Sequence, residues 1–304
     1  MESHTPPNSG SPVGVVAMVL SDFFRQVYRP LRLRGRSPNT ARLYENTIHQ
    51  FDKFLGRPAT LADLTDLEVS RFLEHRASVR SPFTSEKERN QLCSLWRCAC
   101  DRRLLDERPC IPPTPLPVRV PQAWSIDELK RLITHAKVSP GKVGDVPARV
   151  FWSAMIQVLW QSAERVGAIL ACRKGDYTRP RLLVRAEYRK GGKRDKLYSF
   201  TAETCDLLDV LASTGESPML FAWPSAKCYL WNRFGKLIDR AGLGGNKRCK
   251  FHQLRRSAAT HYCAAGGDPT ALLDHSSPRI TKAYLDPRYI DTGPRPCDVL
   301  PDLG

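Results

Sequence analysis

Five prolines fall between Pro112 and Pro121, inside the run DERPCIPPTPLPVRVPQ at 106–122. No helix or inner strand crosses such a run, because each proline fixes φ and lacks a backbone donor. The spacing predicts a semi-rigid, extended linker over 107–122 with a folding unit on either side. At 304 residues the chain is long enough for each unit to bury a core.

Before the linker, residues 1–18 are rich in Pro, Ser and Gly and predict a disordered tail. A helical domain is expected over 19–106. Ser21 to Leu33 carries Phe23, Phe24, Val27 and Leu31 as one stripe, with Pro30 placed to interrupt it. Ser37 and Pro38 form a cap and first turn for a helix that aligns Tyr44, Ile48, Phe51 and Leu55 and stops at Gly56. Asp66 opens a third helix through Val69, Phe72 and Leu73. A fourth runs from about Ser85 to Leu105, with Leu92, Leu95 and Trp96 inward.

After the linker, a second domain is expected over 123–292, followed by a tail at 293–304. Ser125-Ile126-Asp127-Glu128 is a capping box that opens its first helix. Residues 147–161 are hydrophobic enough for a buried helix. RLLVRAEY (181–188) and DKLYSF (195–200) flank the turn RKGGKR and predict a β-hairpin. Helices follow at about 201–213, 225–242 and 254–265. The class is mainly α with a small β-hairpin, an α+β fold.

Lys and Arg number 47 against 31 Asp and Glu, a formal charge of +16. That excess suffices for a polyanion-binding face but says nothing of base specificity. Of ten cysteines, Cys93, Cys98 and Cys100 cluster without a second Cys/His pair at zinc spacing. Trp96, Leu92 and Leu95 around them predict a buried helix face, and no metal site is expected. The remaining thiols are scattered and no secretory leader precedes them, so a cytoplasmic, nucleoid-associated protein with reduced cysteines is expected. Val13 to Leu20 is too short to span a membrane, and no membrane partner is expected.

The chemistry-bearing residues lie after the linker. Arg165 follows the hydrophobic helix in QSAERVGAIL. His252 and Arg255 lie in FHQLRRSAATH, and His275 and Tyr284 in LLDHSSPRITKAYLD. Arginines can neutralise phosphate oxygens bidentately, histidines move protons near neutrality, and a tyrosine oxygen can act as nucleophile. The order and spacing resemble the tyrosine recombinase (phage integrase) family: an arginine box, an H-x-L-R box at 252–255, and H-S-S followed nine positions after His275 by a tyrosine. LRGRSPNTARLYENTIHQFDKFLG, with Thr40 and Tyr44, is similar to that family's core-binding domain.

The resemblance implies an N-terminal core-binding bundle and a C-terminal catalytic domain acting on double-stranded DNA without cofactor or metal. Arg165 and Arg255 would clamp the scissile phosphate, His252 would handle a proton, and His275 would hydrogen-bond the phosphate. Tyr284 would attack phosphorus to leave a 3′-phosphotyrosyl link. Lys190, in the turn Lys190-Gly191-Gly192-Lys193, would protonate the leaving 5′ oxygen, with Lys193 and Lys196 as competitors. Tyr289 is the rival nucleophile. Arg256 is expected to face away from the site and Glu164 to point elsewhere. Arg34, Arg36, Arg42 and Lys53 are candidate DNA phosphate contacts, and a homotetramer on two DNA sites is implied.

Three departures from the family pattern stand out. The acidic residue usual three positions after the first arginine is Ala168. The usual L-G-H is Leu273-Asp274-His275, an exchange that Asp tolerates in a left-handed conformation. The segment from Gly267 to His275 is about one helical turn short. Two alternatives therefore stay open: an inactive DNA-binding remnant of a mobile-element integrase, and a type IB topoisomerase-like enzyme.

Overall fold

In the computed structural model the chain divides between Val118 and Arg119, inside the proline run, into two compact units. The structure describes residues 18–192, 194–243 and 250–290. The expected C-terminal tail, nearly all of the N-terminal tail, Lys193, Cys249 and Cys297 lie outside the described residues.

The first unit is helical. Leu20–Phe23, a π turn at Phe24–Tyr28, and Arg29–Arg32 run on without a break. The π turn sits just ahead of Pro30 and carries the chain past a residue that has no backbone donor. Its extra residue rotates the buried stripe: Tyr28 is buried, while Leu31, expected inward, is 48% exposed. Helices Pro38–Leu55, Asp66–Val79 and Pro82–Asp101 complete the bundle. Gly56 closes the first of these in the left-handed region at φ 71°. The last starts three residues earlier than its apolar pattern, because Ser81 caps it and Pro82 occupies its first turn.

Phe51 meets Phe72 edge to face at 5.1 Å in the core. Cys93 and Cys98 are buried beside them, and burial pushes the Cys93 thiol up. Arg76 donates from Nε and Nη2 to both oxygens of Glu88 at 2.8 and 3.0 Å, with the carboxylate fully buried. This pair pins two helices together, and removing one member strands the other in a dry site. Glu88→Ala is expected to cost about 3–5 kcal/mol, whereas replacing both partners by apolar residues costs far less. Hydrogen exchange of the 66–101 amides under increasing urea measures the difference.

The start of the proline run is fastened to this unit. Arg89 donates to the carbonyl of buried Ile111. Asp66 and Glu86 accept from the backbone N–H groups of Cys110 and Thr114, both at 2.9 Å.

In the second unit, both arms of the Ser125/Glu128 capping box form and open helix Ile126–Lys137. Strands β1 (Lys142–Val143) and β2 (Val146–Pro147) pair antiparallel and lead into helix Ala148–Ser162. That helix is the centre of the unit and packs against Ile126–Lys137, Ala202–Ser213 and Lys250–Ala264. Strands β3 (Tyr177–Thr178), β4 (Arg181–Val184) and β5 (Lys196–Ser199) form an antiparallel sheet in that order, with Val184 opposite Lys196. The predicted first hairpin strand ends early, because Ala186–Tyr188 winds into a 3₁₀ turn. Gly191 takes φ +70°, and a Cβ on Gly192 would lie 2.7 Å from the Ala186 carbonyl oxygen, so this tip needs both glycines.

Helix Lys227–Arg240, helix Lys250–Ala264 and two short helices, Pro269–Leu273 and Pro278–Lys282, complete the unit. Its two ends are stitched together on the back of Lys250–Ala264. Ser257 Oγ accepts from Trp124 N at 2.8 Å, Thr260 Oγ1 accepts from Asp286 N at 3.1 Å, and Asp286 accepts from Ala123 N at 2.7 Å. No described helix is long and apolar enough to cross a membrane.

Candidate active site

Ala163 ends the central helix in the left-handed region at φ 49°. That reversal brings Arg165 out of the core to a half-buried position on the next turn. Among the described residues, no side chain pairs with its guanidinium. Arg255, from helix Lys250–Ala264, is 2% exposed. It donates from Nη1 to the Ala163 carbonyl and from Nη2 to the Leu273 carbonyl, the latter at 2.9 Å. It thus ties the turn that carries Arg165 to the turn that carries His275. Its Nε is buried and faces no acceptor. Burial, and then the charge of Arg165, lower the Arg255 guanidinium to about 10.

His252 lies one helical turn before Arg255. Its ring centroid is 5.0 Å from that of Tyr284, and the His275 ring is 4.8 Å from the same tyrosine. The tyrosine also packs against a small apolar cluster of Ala163, Ala258, Ala259 and Leu273. His275 is oriented through Nδ1, 3.2 Å from Thr281 Oγ1. Burial, then Arg256, Arg255 and Arg165, push the His252 imidazole down to about 4. His275 is also lowered, by burial first and then by Arg255 and Arg165. Both rings are therefore neutral at pH 7 and can accept a proton.

Two expectations are corrected. Arg256 does not face away: its guanidinium carbon lies 5.8 Å from the Tyr284 ring centroid. Glu164 does not point elsewhere: it is buried and accepts from the Arg165 backbone N–H at 3.0 Å, from Tyr198 Oη at 2.9 Å and from Arg189 Nε at 2.6 Å. Ala168, where the resemblance expects an acid, is buried in the core. The carboxylate supporting this turn stands on the other side of Arg165. Asp274 does adopt the left-handed conformation, at φ 55°, and accepts from Arg189 Nη1 at 2.9 Å.

The lysines divide. Lys190 is exposed at the hairpin tip, and Lys193 lies outside the described residues. Lys196, at the base of β5, donates to the carbonyls of Ala271 and Leu272 at 2.8 and 3.0 Å. Burial, and then Arg189, lower its pKa. The Tyr289 ring packs tilted against His261 at 4.9 Å, on that helix's other face. In the first unit, Arg34, Arg36, Arg42 and Lys53 are exposed, and Arg42 donates to Asn39 at 2.8 Å.

Residues 125–289 match the model of the phage integrase family. The chain belongs to this family. It is similar to the tyrosine recombinase XerD of Ralstonia nicotianae (strain ATCC BAA-1114 / GMI1000), with 25% identity over 266 residues, covering 82% of this chain and 84% of that one. The fold is similar to that of a lambda integrase dimer bound to a COC′ core site (TM-score 0.70, 18% identity, 93% of this chain and 81% of that one). It is likewise similar to a lambda integrase tetramer bound to a Holliday junction (TM-score 0.71, 16% identity, 92% and 80%). As a tyrosine recombinase family member, the chain carries the α+β architecture expected from its sequence.

The sequence reasoning passed over a second basic feature of this family member. Lys142, Arg233, Lys236 and Arg240 line a hollow of about 300 Å³ that has no carboxylate among its lining residues. Arg233, Lys236 and Arg240 recur at helical spacing on Lys227–Arg240, a signal that was present in the sequence.

Because cations surround His252, an arriving anion should raise its pKa. A ¹⁵N-NMR titration of the free protein is expected to show His252 neutral down to about pH 4. Inorganic phosphate should move that midpoint upward. Relative to an unfolded imidazole, the depressed pKa contributes stability above about pH 6.5 that is lost as pH falls toward the folded value. A midpoint indifferent to phosphate would detach His252 from the anion site.

Proposed function

We propose that this chain is a site-specific DNA recombinase that cuts and rejoins duplex DNA through a 3′-phosphotyrosyl intermediate. The observation that carries the proposal is Tyr284 seated between His252 and His275, beside guanidiniums whose charge exceeds that of the carboxylates near them. Such a pocket suits a phosphodiester whose charge grows in the transition state.

In this mechanism Arg165 and Arg255 bind the non-bridging oxygens, and the Arg255 Nε–H is the donor that no protein acceptor takes. Neutral His252 takes the proton of Tyr284 as its Oη attacks phosphorus. The O–P bond to the tyrosine forms as the bond to the 5′ oxygen breaks, and a hairpin lysine supplies the proton that makes the 5′ hydroxyl. Lys190 is assigned that task by the resemblance, and Lys196 is the alternative nearer the site. The phosphotyrosyl bond conserves the energy of the phosphodiester, so the reverse attack by a 5′ hydroxyl needs neither ATP nor metal. Arg34, Arg36, Arg42, Lys53 and the basic hollow of the second unit are proposed to hold DNA phosphates. The lambda integrase tetramer on a Holliday junction supports four protomers on two DNA sites. Action on DNA in this way implies a cytoplasmic, nucleoid-associated location.

The test is covalent trapping. Purified protein is incubated in EDTA with labelled, nicked duplexes built on the DNA flanking its gene. The expected result is an adduct that survives SDS and is destroyed by protease. Binding to the same DNA without any adduct would turn the assignment toward an inactive DNA-binding remnant. An adduct without strand exchange between two sites would turn it toward a topoisomerase-like relaxation.

A further inference from the structure

Two buried charges that none of the assigned roles uses, Arg189 and Glu164, link Asp274 to Arg255. The Arg189 side chain, 2% exposed, donates from Nε to Glu164 at 2.6 Å and from Nη1 to Asp274 at 2.9 Å. Glu164, itself 1% exposed, has its other oxygen only 3.9 Å from Arg255 Nη1. Arg255 makes no closer contact with this carboxylate. Its two Nη groups are spent on the carbonyls of Ala163 and Leu273.

We infer that Arg189 is a positioning residue that holds the Glu164 carboxylate off Arg255, so that the positive charge of Arg255 stays available to the scissile phosphate. This rests on the phosphate-clamp role proposed above for Arg255. A buried carboxylate must have a cationic or hydrogen-bonding partner. Arg189 is that partner here, with Tyr198 Oη and the Arg165 N–H completing the set. Without Arg189, the nearest remaining cation to Glu164 is Arg255. A guanidinium paired to a carboxylate is a poor anion receptor, because its charge is already matched. The same arginine joins the turn before Arg165 to the residue before His275, so it also sets the register of the short 267–275 segment.

The inference predicts suppression rather than additivity. Arg189→Met should slow single-turnover adduct formation on the order of 10²-fold, the usual effect of losing one preorganised donor. Glu164→Gln removes the charge while its amide oxygen can accept from the Arg165 N–H and its amide NH2 can donate to the Tyr198 hydroxyl oxygen. The double variant Arg189→Met/Glu164→Gln should recover to within about tenfold of the parent, because the competitor for Arg255 is gone. Rates are compared at a temperature where circular dichroism shows all three proteins folded. A second readout does not depend on cleavage. Arg255 is one of the cations that depress His252, so the His252 titration should move upward in Arg189→Met and return in the double variant. Equal rates for Arg189→Met and the parent, or a double variant no faster than Arg189→Met with an unmoved His252 titration, would overturn the inference. If the parent forms no adduct, the recombinase assignment fails, yet the histidine titration still decides whether Arg189 shields Arg255.

Discussion

Tyr284→Phe is expected to bind the same DNA as the parent within about twofold and to form no SDS-resistant adduct, a loss on the order of 10⁴-fold or more in cleavage rate, since the nucleophilic oxygen itself is removed. The structure separates this chemical effect from a folding effect. The ring packs against His252, His275 and the cluster of Ala258, Ala259 and Leu273, and phenylalanine keeps all of those contacts. Among the described residues, nothing hydrogen-bonds to the Tyr284 hydroxyl, so its loss leaves no buried group unpaired. Thermal unfolding should stay within about 0.5 kcal/mol of the parent. The rival is tested in the same gel. Tyr289→Phe should keep the adduct, because the Tyr289 ring packs against His261 and not against His252 or His275. An adduct that survives in Tyr284→Phe and disappears in Tyr289→Phe would reverse the assignment.

The second large effect distinguishes two arginines with the same proposed task. Arg165→Ala and Arg255→Ala should each slow cleavage by about 10² to 10³-fold, since each removes a charge-assisted donor to the phosphate. Their stabilities should part. Arg255 is enclosed, and its two Nη groups satisfy the carbonyls of Ala163 and Leu273. Its truncation leaves both unpaired in a dry interior, at a cost of about 2–4 kcal/mol. Arg165 is half-buried and ties to no described side chain, so Arg165→Ala should unfold within about 0.5 kcal/mol of the parent. Arg255→Lys should not recover the loss, because an ammonium lacks the planar fork whose two Nη groups reach the separate carbonyls of Ala163 and Leu273 while leaving a further N–H unpaired. Differential scanning calorimetry alongside single-turnover cleavage separates the cases. Equal melting of the two alanine variants would mean that Arg255 has no scaffold role.

What the sequence made legible was whatever local rules encode. Ser125 and Glu128 announce a helix start by reciprocal capping, and both bonds form. The proline run marks the division of the chain, because missing donors act residue by residue. The order of Arg165, His252, Arg255, His275 and Tyr284 was visible as spacing, and the fold brings Tyr284 between the two histidines. Glu164 and Arg189 were not legible. A charged residue is normally a solvated one, and nothing within a few positions of either says that it is buried. Their partnership spans 25 residues and exists only once the hairpin folds over the Ala163 turn. Arg256 was missed for a related reason. Its place on the helix wheel points off the Arg255 face, yet its long side chain reaches the ring of Tyr284. The same limit applies to the π turn before Pro30, where tertiary packing chose a wider helix over a break.

The stitch across the back of helix Lys250–Ala264 has a mechanical consequence. Ala123, just past the proline run, and Asp286, two residues past Tyr284, share a 2.7 Å hydrogen bond, and Trp124 and Asp286 are tied to the same helix through Ser257 and Thr260. Entry and exit are therefore the two ends of one short lever, with Lys250–Ala264 as its fulcrum. Tension applied along the proline run arrives first at this clasp and next at the backbone that carries Tyr284. The clasp works as a strain relief of the kind fitted to a cable. It takes up pulling on the tether, so that the Tyr284 ring keeps its contacts with two imidazoles.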